Sequence, residues 1–316
     1  MQTSDVLAYA GSISPAVYCQ LFYVLSAAAV LGIAAAPESI QRLLTQYGAR
    51  NPAESVSNGK EGKAASDGPL VGIVSWVTSV GKVPHSWFIH FYVLSLSCSA
   101  FWAIQFLCHG QVLELIARNQ APREISSMSI NQVVITWALM TLQGARRLYE
   151  YVAVLRPSSS KMWIVHWLLG NAFYFFTSIS IWIEGSGSIL SSDRKSLDAE
   201  ALPFSSIVGV LLFLASWSTQ YRCHSYLSGL KKYSLPEDGL FQYLVCPHYT
   251  CECVLYLSLA LVAAPKGRLY NRTLICTVLF VMVNLGVTAQ GTKRWYSEKF
   301  GPKELRGKWK MIPGVF

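Results

Sequence analysis

The sequence predicts an all-α integral membrane protein, a bundle of about seven transmembrane helices. Composition is the first indication, because 52% of the 316 residues are hydrophobic and only 14% are charged, which is too little charge to cover a soluble domain of this size. The second indication is a series of apolar segments, each near the ~20 residues that a helix needs to cross a bilayer. They lie at residues 16–36, 86–108, 128–145, 162–183, 204–221, 246–264 and 272–290.

The chain between the first two segments differs in character from the rest. Residues 50–69 are polar, rich in Gly, Ser and Ala and free of aromatic side chains, which is typical of a flexible loop. The stretch after it ends in Val83-Pro84 and predicts an interfacial segment leading into the second span. We therefore divide the chain into residues 1–85, a first span with a disordered loop, and residues 86–316, the main membrane domain.

Lys and Arg residues are distributed unequally between the two sets of loops. If the C-terminus is cytosolic, the loops on that side hold 19 of them and the opposite loops hold 7. Cytosolic loops carry the excess of cations in membrane proteins, so this split predicts a cytosolic C-terminus and a lumenal N-terminus. The net charge of +9 comes with no basic stripe of interleaved aromatic residues, so it does not indicate nucleic-acid binding.

The eight cysteines form no recognisable metal or disulfide pattern. Cys246, Cys251 and Cys253 are closely spaced, but no second knuckle elsewhere in the sequence matches them. Core packing is the better interpretation, and the cysteines predict no metal site.

An ionisable pair, His248 and Glu252, lies at the start of the sixth apolar segment. The two residues are four positions apart and share one helix face. Glu252 is the more informative, because a carboxylate in an apolar span is costly unless it faces a partner or a cavity. Three interpretations remain open: a hydrogen bond between the two side chains at the headgroup layer, a shared metal ion, and a binding site. A closed metal site needs about four ligands, and no second such pair is present in the sequence.

A nucleotide, if one binds, has to be held by side chains at helix ends. No Gly-x-Gly-x-x-Gly motif lies between a strand and a helix, and the near miss at Gly185-Ser-Gly187 follows an apolar span. Cations near the spans can pair with phosphates, but they also serve as topology markers or lipid contacts. The candidates gather at the cytosolic ends of the last three spans: Gln220, Arg222, His224, Lys231, Lys232, His248, Glu252, Lys293, Arg294, Tyr296 and Lys308.

Two stretches of the sequence resemble one known family. CPHYTCECVLYLSLAL, from residue 246, is similar to the segment with which the steroid 5α-reductase family grips the nicotinamide end of NADPH. Residues 291–316, GTKRWYSEKFGPKELRGKWKMIPGVF, are similar to that family's ending. His248 and LQGARRLYE, residues 142–150, are most similar to the type 3 branch, the polyprenol or polyprenal reductases of dolichol synthesis. The resemblance extends from about residue 82 to the end of the sequence.

The resemblance implies that NADPH binds to the C-terminal part of a membrane reductase domain, about residues 204–316. Glu252 and Tyr296 match positions of the family that contact the cofactor, His248 replaces an Asn, and Lys231 falls at an Arg. The implied catalytic residues are Gln143, His248 and Glu252. The implied cofactor-binding residues are Arg146, Gln220, His224, Lys231, His248, Glu252, Arg294, Tyr296 and Lys308.

The sequence departs from the steroid-reducing members at several of these positions. Gln220 and His224 fall where those enzymes carry Asn and Asp; a glutamine keeps the role of an amide, whereas a histidine cannot copy a carboxylate. Gln143 takes the place of a tyrosine that, with a glutamate, holds the steroid ketone. Lys82 or Val83 stands where that glutamate is expected. The resemblance therefore implies that a steroid 3-ketone is the less favoured substrate.

The function implied by the resemblance is reduction of the α-isoprene double bond of polyprenal or polyprenol by NADPH, at the endoplasmic reticulum membrane, in the dolichol synthesis that supports protein N-glycosylation. Hydride addition to an isolated alkene is unfavourable, so the conjugated aldehyde is the expected acceptor. The expected partners are a long polyprenyl lipid and membrane lipid, with no nucleic acid and no obligate protein partner. The alternatives are a steroid enone reductase (3-oxo-5α-steroid 4-dehydrogenase) and a non-catalytic lipid-binding membrane protein.

A long substrate would have to leave such a site sideways, through a fissure open to lipid. Aromatic and small residues of the first four spans are suited to line it, although their spacing also fits plain helix packing. These residues are Phe88, Tyr92, Trp102, Trp137, Gly170 and Tyr174. The candidates for a proton donor are Gln143, Tyr149, His85 and His90.

Overall fold

The computed structural model describes residues 13–45, 72, 76, 78, 80–155, 160–191, 201–231 and 233–316. The predicted disorder at residues 50–69 and the candidate Lys232 lie outside the described residues. The helices are α1 (Pro15–Ala35), α2 (Glu38–Thr45), α3 (Ile89–Leu107), α4 (Gln111–Gln120), α5 (Ile130–Tyr149), α6 (Ile164–Ile183), α7 (Ser186–Ser191), α8 (Phe204–Gly229), α9 (Pro247–Val262) and α10 (Arg272–Phe300). A short antiparallel pair joins β1 (Lys82–Pro84) to β2 (Lys161–Trp163).

Each of the seven predicted apolar segments is a long helix: α1, α3, α5, α6, α8, α9 and α10. The predicted fold class, an all-α multi-pass membrane protein, is confirmed. Within the described residues, five of these helices are long and apolar enough to cross a membrane. The other two are α5, whose polar side chains lower its hydropathy, and α9, which has only 16 residues.

Two helices extend further than the apolar segments that predicted them. The segment 204–221 continues to Gly229 in α8, and the segment 272–290 continues to Phe300 in α10. The added turns carry cations that the sequence places just outside the membrane. These turns stay helical because a helix does not have to end where the hydrocarbon layer ends.

Local sequence fixes where several helices begin. Ser129 and Gln132 form a reciprocal capping box at the start of α5, and the Asn271 side chain accepts a hydrogen bond from Leu274 N at the start of α10. Pro247 occupies the first position of α9, where a missing N–H costs nothing.

The long helices alternate in direction, so one end of the bundle collects the C-terminal ends of α1, α5, α8 and α10 and the N-terminal ends of α3, α6 and α9. We call this the site end. Helix α9 packs against α8 and α10, and α10 packs against α1. Gly209 lets α8 and α9 approach closely, because a Cβ there would lie 2.8 Å from Ser258 O and 2.7 Å from Val262 Cγ2.

Candidate active site

A cavity of about 1550 Å³ lies toward the site end of the bundle. Its walls come from α1, α2, α3, α5, α6, α8, α9, α10 and the residues after α10. One part of the wall is apolar, with side chains such as Val30 of α1 and Phe280 of α10. Another part is polar and includes Gln220, His224 and Glu252. The cavity therefore joins an apolar compartment to a group of charged and amide side chains.

Helix α9 presents a stripe of three polar side chains to this cavity. His248 and Glu252 share a face, as the sequence predicts, and Tyr256 continues the stripe one turn further into the bundle. The His248 Nδ1 atom and the Tyr256 hydroxyl are buried and have no hydrogen-bond partner among the described residues. Buried polar groups are normally paired, so these two atoms are available to a ligand.

The carboxylate of Glu252 is held by two glutamines. Gln220 Nε2 donates to Glu252 Oε2 and also to His248 O, at 3.0 Å, and Gln143 Nε2 lies 3.4 Å from Glu252 Oε2. Arg146 Nη2 in turn donates to Gln220 Oε1 and to Gln143 Oε1, the latter at 2.8 Å. Gln143 and Arg146 are buried behind Glu252 and are not among the residues that line the cavity.

A second cluster surrounds Glu150, the residue that follows α5. Its carboxylate is fully buried and accepts a hydrogen bond from Arg147 Nη1; it lies 3.3 Å from Arg146 Nη1 and 2.8 Å from His224 Nδ1. Burial by itself would raise the pKa of Glu150, but the hydrogen bond with His224 and the charge of Arg147 outweigh it, so the pKa is lowered. Glu150 therefore stays ionised and neutralises the arginines.

Arg147 connects this cluster to the cavity. Its Nη2 donates to the Tyr92 hydroxyl at 2.8 Å, and its guanidinium lies 5.1 Å from the centre of the Tyr92 ring. Arg147 and Tyr92 both line the cavity. Helix α5 thus brings a cation to the cavity wall, and α3 brings a hydroxyl to meet it.

The residues after α10 form the outer part of the wall. Val245 N donates to Trp309 O at 2.8 Å, and Cys246 N donates to Lys310 O at 3.0 Å, so this segment runs beside the start of α9. Lys310 lines the cavity, and its Nζ lies 3.9 Å from the centre of the Phe316 ring. Burial, with a further contribution from the charge of Lys293, lowers the pKa of Lys310.

The remaining predicted cations lie in different surroundings. Arg294 lines the cavity and pairs with Glu38 at 2.8 Å. Lys231, Tyr296 and Lys308 are not among the lining residues; Lys308 Nζ lies 3.5 Å from Pro236 O instead. In the part of the chain that the structure describes, no three His, Cys, Asp or Glu side chains gather as metal ligands.

Comparison with known proteins relates the C-terminal part of the chain to a known family. Residues 193–316 match the family model described as 3-oxo-5-alpha-steroid 4-dehydrogenase. The C-terminal part of the chain is therefore similar to the steroid 5α-reductase family. This confirms the resemblance found in the sequence.

Several curated relatives are similar to the chain over half of its length or more. A protein of Caenorhabditis elegans named polyprenal reductase is 27% identical over 277 residues, which are 81% of this chain and 85% of that protein. A polyprenal reductase of Drosophila melanogaster is 28% identical, over 78% of this chain and 80% of the relative. A polyprenal reductase of Saccharomyces cerevisiae is 33% identical, over 52% of this chain and 58% of the relative.

The structure brings together five of the predicted site residues at the cavity: Gln220, His224, His248, Glu252 and Arg294. The sequence analysis missed Arg147, Tyr256 and Lys310 as cavity residues. The spacing of four residues from Gln143 to Arg147 and from Glu252 to Tyr256 could have identified two of them. Lys310 depends on the path of the chain after α10, for which the sequence has no local indication.

The predicted proton donors do not line the cavity. Tyr149 is 55% exposed, and His90 Nδ1 accepts a hydrogen bond from Trp167 Nε1 at 3.2 Å. Gln143 and His85 are also absent from the lining residues. Of the six residues expected in a lateral fissure, Phe88, Tyr92, Gly170 and Tyr174 line the cavity, whereas Trp102 and Trp137 hold neighbouring helices together through their indole N–H groups.

Proposed function

We propose that this chain is an NADPH-dependent polyprenal reductase of the endoplasmic reticulum membrane, which saturates the α-isoprene unit in dolichol synthesis. The observation that carries the proposal is Glu252, a carboxylate that faces the cavity in a family whose curated relatives are named polyprenal reductases. An oxidoreductase acting on a carbon–carbon double bond agrees with those relatives.

The side chains at the cavity fit NADPH as the cofactor. The free Nδ1 of His248 and the carboxylate of Glu252 can hydrogen-bond an amide or a ribose hydroxyl. Arg294 and Lys310 are cations on the same wall and can pair with phosphate groups. Bound there, NADPH would supply the hydride, and we propose that residues 204–316 hold most of it.

The residues behind the wall keep these groups in place. Gln143 and Gln220 bond the Glu252 carboxylate, and Arg146 bonds both amides, so the orientation of Glu252 is set by three side chains. This assigns Gln143 and Arg146 to positioning roles behind the cavity, in place of the direct contacts that the resemblance implied. A carboxylate fixed in this way can bind a ligand without a further ordering cost.

The substrate fits the apolar part of the cavity. A polyprenyl chain is insoluble in water, so it has to reach the site from the membrane. We propose that its conjugated aldehyde accepts the hydride at the β carbon, because the carbonyl oxygen then takes up the negative charge. The unequal distribution of cations supports a cytosolic site end, where NADPH is present.

The test is a nicotinamide fluorescence titration of the detergent-purified protein, followed by product analysis with polyprenal, polyprenol and testosterone as separate substrates. We expect saturable NADPH binding and conversion of polyprenal to the saturated aldehyde. Absence of NADPH binding would indicate a non-catalytic lipid-binding protein. Turnover of testosterone in preference to polyprenal would make this protein a steroid enone reductase.

A further inference from the structure

The hydroxyl of Tyr92 accepts one hydrogen bond, and its own proton remains free to be donated. A phenol oxygen can accept hydrogen bonds and has one proton to donate, whereas a guanidinium can only donate. In the 2.8 Å bond from Arg147 Nη2, the Tyr92 oxygen is therefore the acceptor. Among the described residues, no acceptor is recorded for the Tyr92 proton, and Tyr92 lines the cavity. The proton is available to a ligand.

Arg147 is itself immobilised. Its Nη1 donates to the buried carboxylate of Glu150 and lies 2.8 Å from His224 Nδ1. This leaves Nη2 directed at Tyr92, on which the guanidinium also stacks. A cation bonded to a phenol oxygen draws electron density from it and makes the O–H a stronger donor.

We propose that Tyr92 donates a hydrogen bond to the carbonyl oxygen of the unsaturated aldehyde, with Arg147 as its positioning residue. This inference rests on the proposed function. The hydride supplied by NADPH forms a C–H bond at the β carbon, and the electron pair of the α,β double bond moves to give an enolate on the substrate oxygen. Tyr92 stabilises that oxygen through its O–H. The α carbon then takes one proton from water, which completes the saturated aldehyde, and NADP⁺ remains.

This arrangement replaces the carbonyl-binding pair that the sequence lacks. Gln143 stands at the tyrosine position of the steroid enzymes, but its amide is committed to Arg146, Gln220 and Glu252. Tyr256 also presents a hydroxyl to the cavity, but among the described residues no cation bonds it, and its ring packs edge-on against Phe173. Tyr92 combines access to the cavity with a polarising partner.

The test compares two tyrosine-to-phenylalanine variants in the full-length, detergent-purified protein. Tyr92→Phe removes the proposed donor. Tyr151→Phe is the matched control, because the Tyr151 ring lies 6.1 Å from that of Tyr92, its hydroxyl donates to Ser86 O at 2.8 Å, and it does not line the cavity. For each protein we would measure kcat and KM with polyprenal, the NADPH dissociation constant by fluorescence, and the thermal midpoint.

We expect Tyr92→Phe to lower kcat by about 100-fold, the loss seen when one donor to a developing oxyanion is removed. KM, NADPH affinity and the thermal midpoint should stay within about twofold or a few degrees of wild type, because the bond strengthens only as charge develops. Tyr151→Phe should retain wild-type kcat. A Tyr92→Phe protein with kcat within threefold of wild type would overturn the inference.

Two further outcomes keep the inference separate from the function on which it rests. If wild-type protein fails to oxidise NADPH with polyprenal, the proposed function fails before Tyr92 is tested. If Tyr92→Phe does not fold, Arg147→Lys provides the second variant, because one ammonium cannot reach both Glu150 and Tyr92 in the geometry of a guanidinium. A folded Arg147→Lys protein should show a lower kcat with unchanged NADPH affinity, and unchanged kcat would overturn the inference.

Discussion

Gly170 of α6 gives the sharpest test of how a long substrate occupies the cavity. A Cβ placed on Gly170 would lie 2.6 Å from Phe91 Cζ and 2.8 Å from Phe91 Cε1. Carbon atoms pack at about 3.5 to 4.0 Å, so the Phe91 ring has to move by roughly 1 Å in a Gly170→Ala protein. Both residues line the cavity, and the Phe91 ring already packs on Phe88, with ring centres 4.9 Å apart. The ring can move only at the expense of its neighbours or of the cavity.

The expected cost follows from these contacts. Overpacking by one methyl group costs about 1 to 3 kcal/mol when the surroundings cannot give way. If 1 to 2 kcal/mol of this appears as lost binding of a polyprenyl chain, kcat/KM falls about 5- to 30-fold. A short analogue such as citral does not have to fill the apolar part of the cavity, so its kcat/KM should change less than twofold, at unchanged NADPH affinity.

The assay is steady-state NADPH oxidation with a long polyprenal and with citral, with NADPH titration as the check on the cofactor site. Ala138→Val is the matched control, because Ala138 is exposed on α5 and does not line the cavity. Equal losses for long and short substrates in Gly170→Ala would refute the reasoning. The same would follow if Ala138→Val reproduced the selective loss.

Four other predictions concern single side chains of the site. Glu252→Gln should abolish turnover while leaving the protein level unchanged, and wild-type rate and NADPH affinity in this protein would contradict the assignment. His248→Ala should weaken NADPH binding by about 1 to 3 kcal/mol, the value of one buried hydrogen bond, and an unchanged dissociation constant would contradict this role. Catalytic efficiency should be higher with NADPH than with NADH, and Lys310→Ala should reduce the ratio of the two efficiencies. Equal efficiencies in wild type would refute a role for Lys310 in binding the additional phosphate of NADPH. Because the pKa of Glu150 is lowered, its charge stabilises the fold above the unfolded value of about 4.3, and this is lost as pH falls further. The thermal midpoint of wild type should therefore drop more between about pH 5 and about pH 3 than that of Glu150→Gln, and parallel curves would contradict the buried ion cluster.

The sequence predicts the helices well because each span has to be apolar over a fixed length. It also predicts the stripe of His248 and Glu252, since spacing along one helix is local information. The sequence does not show which of Arg146 and Arg147 reaches the cavity. The two residues are adjacent and both follow the apolar part of α5, and only the packing of α3 against α5 shows that Arg147 meets Tyr92 while Arg146 bonds Trp217 O.

The sequence analysis named Lys308 as a candidate, whereas the structure brings Lys310 to the cavity. The reason is again that the contact depends on packing between distant parts of the chain. Both lysines lie in the basic stretch near the end of the sequence, and composition treats them alike. Leu244 pairs with Trp309 in a parallel bridge, and this contact between distant parts of the chain directs Lys310 to the cavity. A pairing of this kind leaves no periodicity in the sequence, so it could not be predicted.

The resemblance to the steroid-reducing enzymes implies a carboxylate at the position of His224. In this structure the carboxylate near position 224 comes from another helix: Glu150 Oε2 lies 2.8 Å from His224 Nδ1 and also accepts from Arg147. Without Glu150, the buried charges of Arg146 and Arg147 would be uncompensated, which is strongly unfavourable. Because the residue after α5 supplies this carboxylate, α8 presents a histidine to the cavity at position 224.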